Sequence, residues 1–80
     1  MDKELFAQKN GFRSFSMMLK FSKVVIKDKR ESWYITPTEF GYLAWTDNHL
    51  DKLLGYFDSH QQALQEIVDF RSTQPGTENS

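Results

Sequence analysis

The stretch Trp33-Tyr34-Ile35-Thr36-Pro37-Thr38-Glu39-Phe40-Gly41-Tyr42-Leu43-Ala44-Trp45-Thr46 decides how this chain folds. Its first four residues are strong strand formers, because aromatic and β-branched side chains pack well on a pleated surface. Pro37 lacks a backbone donor, so this strand is expected to lie at a sheet edge or to end there. A second strand follows from Phe40 to Thr46. Alternation puts Phe40, Tyr42 and Ala44 on one face and Leu43 and Trp45 on the other. Both faces carry large apolar groups, so the sheet either is covered on both sides or leaves one side for a partner.

Downstream, Asp47-Asn48-His49 is turn chemistry, since short polar side chains bond their own backbone. Leu53 to Phe57 reads as a last strand or as a helical extension of Leu50. Gly55 and the pair Tyr56-Phe57 favour the strand. Ser59 and Gln62 then have the spacing of a capping box, in which the serine oxygen takes up an early backbone donor of a helix. Ala63, Leu64, Ile67, Val68 and Phe70 supply its apolar stripe, with Asp58 and Arg71 placed to suit the helix dipole. Residues 72–80 contain no large apolar side chain and include Pro75-Gly76. They are expected to form a disordered tail, because they have nothing to bury.

Upstream, Phe15, Met17, Leu19 and Phe21 alternate with Ser16, Lys20 and Ser22, which predicts a strand with one buried face. The phase slips after Ser22, where Val24 and Ile26 become the apolar positions. A bulge near Ser22-Lys23, or a break into two strands, would restore burial. Lys27 to Ser32 is too polar to bury and reads as a solvated connection. The first ten residues predict a short helix ending at Asn10-Gly11, and so short a helix forms only by packing on something else. The fold class expected is therefore α+β: a small antiparallel meander of three or four strands packed on a C-terminal helix, with a marginal N-terminal helix. Residues 1–71 make the one domain.

The 80 residues allow one hydrophobic core, since a chain of this size buries only about 60% of the surface it exposes unfolded. Stability on the order of 5 kcal/mol is expected. There is no cysteine, so disulfides and thiolate metal sites are excluded and a reducing cytoplasm fits best. No signal peptide or apolar span is visible, and no membrane is expected as a partner. The net charge of −1 conceals a split: residues 1–30 hold eight cations against three acids, and residues 31–80 two cations against eight acids. The halves thus carry +5 and −6, which either attract each other within the fold or present a basic face to a partner.

The inventory for catalysis is thin, and no catalytic, cofactor or metal site is expected. His49 lies between Asp47 and Asp51, but the alternating oxygen ligands of a calcium loop are missing. His60 follows Ser59 at a helix start, where the serine caps and the imidazole is expected to face solvent. The four glycines are isolated, so no phosphate-cradling loop can be drawn. What remains is a binding surface made of Trp33, Tyr34, Trp45 and Tyr56 with Lys20, Lys23, Lys27, Lys29 and Arg30. Trp and Tyr are the types most enriched at interface hot spots. The expected function is a non-catalytic module that binds another protein or a second copy of itself, of a size that suits a bacterial, plasmid or phage accessory protein. The alternative is single-stranded nucleic acid, its bases stacked on an aromatic sheet face with lysines along the backbone. Against that alternative stand an isoelectric point near 6.1 and an acidic last helix.

Overall fold

The fold was established from a computed structural model, which describes residues 2–27, 29, 31–47, 50 and 53–72. Two short helices come first, α1 (Lys3–Lys9) and α2 (Phe15–Lys20). Four strands follow, β1 (Lys23–Lys27), β2 (Ser32–Thr38), β3 (Gly41–Thr46) and β4 (Gly55–Phe57), and then α3 (His60–Ser72). The strands form one antiparallel meander in the order β1-β2-β3-β4. This is the expected α+β architecture, and within the segment read as strand or helical extension Gly55–Phe57 is strand. Of the expected tail, 72–80, Ser72 is instead the last residue of α3, and residues 73–80 lie outside the described residues.

The sheet separates two cores. On one face Trp33, Ile35 and Ala44 pack against Ala63 and Ile67 of α3. On the other, Leu43 and Trp45 pack against Phe6 and Ala7 of α1, Met18 of α2, and Leu50. The period of two along β2 and β3 produces this division, because neighbouring residues necessarily point to opposite cores. α3 begins as its sequence predicts, with the Ser59 hydroxyl accepting from the Gln62 backbone at 3.1 Å.

Three expectations about the strands are corrected. Residues 15–20 are helix, not strand: the Ser14 hydroxyl accepts from the Met17 backbone at 3.1 Å and caps a run of good helix formers. The inward positions are therefore Phe15 and Met18, one turn apart, while Met17, Leu19 and Phe21 point to solvent. The bulge is real but sits further on, with Val25 the extra residue between Val24↔Tyr34 and Ile26↔Trp33. Finally, β2 is a central strand that runs through Pro37. Pairing with β1 stops at Ile35, so Pro37 lies where β2 already has one open edge.

Candidate functional site

The indoles chosen from the sequence are not at the surface. Trp33 and Trp45 are 1% and 0% exposed: α3 covers Trp33, and the N-terminal helices close over Trp45 on the sheet face that the aromatic surplus left in question. Trp45 is the centre of a ring cluster with Phe6 at 5.1 Å, Phe15 at 5.8 Å and Tyr34 stacked at 4.6 Å. Trp33 sits in the other core, edge-on to Phe70, with its indole N–H donated to Glu31. Tyr34 is half-buried on Trp45, and Tyr56 is 41% exposed. Lys20, Lys23, Lys27 and Lys29 are exposed; Arg30 and His49 lie outside the described residues.

A chain of hydroxyls explains how the N-terminal cover is held. Trp45 Nε1 donates to Thr36 Oγ1 at 2.8 Å, Thr36 Oγ1 is bonded to Ser22 Oγ at 2.5 Å, and Ser22 Oγ donates to the Met18 carbonyl at 2.7 Å. The one serine proton goes to Met18, so the threonine proton goes to Ser22, and every donor in this relay has an acceptor. A second tie joins α1 to β4: Tyr56 donates to Asn10 Oδ1, and Asn10 Nδ2 donates to the Phe6 carbonyl. Burial raises the Tyr56 hydroxyl above its usual 10.0. Burial raises Tyr34 as well, and the nearby Asp47 carboxylate adds to it.

Besides Tyr56, the exposed aromatic groups are phenylalanines that alternation assigns to strands. Phe21 and Phe40 are 58% and 55% exposed. Phe21 follows the last turn of α2, and Phe40 stands at the tip of the β2–β3 hairpin. That tip is fixed by Thr38, whose hydroxyl accepts from the Phe40 backbone and donates to the Gly41 carbonyl. Gly41 has φ +121°, and a Cβ there would lie 2.8 Å from the Phe57 carbonyl oxygen, so only glycine fits without displacement.

These rings meet their neighbours in two pairs. Phe40 packs edge-on to Tyr56 at 5.6 Å, Tyr56 is bonded to Asn10, Phe12 is two residues beyond Asn10, and Phe12 stacks on Phe21 at 6.0 Å. Both pairs stand on the N-terminal side of the sheet, the Phe40–Tyr56 pair tied to Asn10 and the Phe12–Phe21 pair two residues beyond it, with exposed Arg13 and Lys20 next to the latter in sequence. Two signals in the sequence point to them: a serine cap before Phe15, which turns Phe21 outward, and the tight turn Thr38-Glu39-Phe40-Gly41.

Among the described residues no group of three His, Asp or Glu side chains is placed to hold a metal ion. His60 does not face solvent as expected. It is half-buried beside Tyr42, ring centres 6.2 Å apart, and its Nε2 has no hydrogen-bond partner. The first turn of α3 brings the His60 ring against Tyr42. No described helix is long and apolar enough to cross a membrane. Comparison of the chain with known protein families, with characterised proteins and with solved structures finds no match.

Proposed function

We propose that this chain is a non-catalytic protein-binding module whose contact surface is Phe12, Phe21, Phe40 and Tyr56. The observation that carries this reading is a contrast of burial: both tryptophans are enclosed, yet Phe21, Phe40 and Tyr56 stay 58%, 55% and 41% exposed. Enclosing these rings on a partner removes apolar area from water without reorganising the fold. Aromatic side chains bring that area at low entropic cost. The basic groups beside them steer an acidic partner toward the surface. Absence of cysteine suits a reducing compartment. The nucleic-acid reading is the less favoured, because α3 covers one sheet face and α1 and α2 the other, so bases have no open sheet on which to stack.

A photo-crosslinking phenylalanine analogue in place of Phe40 tests the proposal in native lysate. Adducts of discrete mass, either with a partner or with a second copy, are expected, and their absence would overturn the reading. In purified form, Phe21→Ser with Phe40→Ser is expected to weaken binding of the crosslinked partner at least tenfold, about 1.4 kcal/mol. Unchanged circular dichroism of that variant separates loss of contact from loss of fold.

A further inference from the structure

β1 is the outermost strand of the sheet, paired with β2 on one side and, among the described residues, with no strand on the other. Its outer backbone donors and acceptors therefore form a template for one more strand. Two features bear on what would be accepted there. The first is charge: Lys23 and Lys27 stand on this strand and Lys29 follows it, all three exposed. The second is a groove of about 280 Å³ between β1 and the last turn of α3, lined by Ile26, Val68, Arg71 and Ser72. Val68 is 43% exposed and Val24, on the opposite face of the strand, 47%.

Lysines and a bulge on an edge strand ordinarily serve to stop sheet edges from associating. Here that protection is selective. A second copy of the chain would bring its own lysines opposite these, and like charges directly across a strand pair are destabilising. A strand bearing carboxylates meets the reverse situation, since opposite charges across the pair are favourable. Side chains of an added strand alternate between faces, so every second residue would point toward the α3 face, where the groove accepts an aliphatic group. Main-chain pairing would supply affinity, and the groove and lysines would supply choice.

We infer that the outer edge of β1 takes an extended acidic segment of a partner protein as a fifth strand, with an aliphatic side chain seated beside Ile26 and Val68. This inference does not depend on the phenylalanine surface, which lies on the other side of the sheet.

The test uses the full chain, isotopically labelled, and a capped eight-residue peptide alternating glutamate with valine. Amide shifts confined to β1, β2 and the last turn of α3 are expected. Lys23→Glu with Lys27→Glu, both exposed, is expected to weaken binding about tenfold or more, and added salt to weaken it progressively. A peptide with lysine replacing glutamate, and one with alternate backbone nitrogens methylated, should each lose binding. Equal binding of the methylated peptide would overturn the inference by showing charge attraction without strand pairing. Shifts elsewhere, or self-association of the chain through β1, would overturn it as well. Phe21→Ser with Phe40→Ser should change peptide affinity less than twofold, so failure here and failure of the phenylalanine surface can be told apart.

Discussion

The two sides of the sheet are covered by unlike means. On the α3 side a single helix of 13 residues lays Ala63 and Ile67 on Trp33, Ile35 and Ala44. Its stripe is regular and its contacts are nearly all apolar. On the other side two helices of 7 and 6 residues are held by one indole and by hydrogen bonds that reach the sheet through Thr36 and Tyr56. Helices this short do not persist alone in water, because the entropy of their first turn is not recovered over so few bonds. The comparison teaches that one cover brings its own helical pattern to the sheet, whereas the other is made a cover by what it touches. It also explains why Phe21 stays outside on the second side, because α2 ends just before it and a cover built from short pieces leaves apolar edges exposed.

The largest expected effect follows from Trp45, which touches most of the N-terminal cover. Trp45→Ala is expected to cost about 3–5 kcal/mol, comparable with the whole stability of a small domain. Ile67→Ala, about 2–5 kcal/mol, acts on the other core. Amide hydrogen exchange distinguishes them: Trp45→Ala should release α1 and α2 before the sheet opens, while Ile67→Ala should loosen the sheet and α3 together. Simultaneous release in both variants would mean that the two covers are a single cooperative unit.

A smaller effect isolates the hydroxyl chain. Thr36→Val keeps the shape of the side chain but leaves the buried Trp45 N–H without its acceptor, at about 1–3 kcal/mol. Urea unfolding should show the loss, and Thr36→Ser should recover part of it. A Thr36→Val protein as stable as the parent would show that packing alone holds the indole.

The smallest effect concerns alkaline pH, and it too belongs to the N-terminal side. Tyr34 and Tyr56 both have hydroxyls raised above the usual 10.0. A raised folded value means that the folded state holds the proton more tightly than the unfolded chain does. The contribution is complete below about pH 10 and is lost as pH rises through the folded values. The melting temperature should fall over that window in step with phenolate absorbance, and Tyr34→Phe should flatten the decline. A decline unaltered by Tyr34→Phe together with Tyr56→Phe would place its origin elsewhere.

Much of the fold is legible in the residues because it rests on local patterns. The capped stripe from Ser59 to Phe70 and the alternation from Tyr42 to Trp45 impose a helix and a strand whose faces follow from geometry alone. The candidate surface is less legible. Phe15, Met17, Leu19 and Phe21 satisfy a period of two, yet the same residues are compatible with a capped turn of helix, and local pattern cannot choose between them. What chooses is burial: a helix at 15–20 sends Phe15 and Met18 together onto Trp45 and Leu43 and brings Ser22 to Thr36.

The sequence by itself determined the strand character of Trp33 to Thr36 and Tyr42 to Trp45, the capped helix after Ser59 and the charge difference between the halves, because composition and periodicity are properties of neighbours along the chain. Only the tertiary structure decided that both tryptophans are enclosed, that Phe21 and Phe40 are not, and that the lysines border an open strand edge. Those outcomes depend on which distant surfaces exclude water from one another, a quantity that spacing along the chain does not contain.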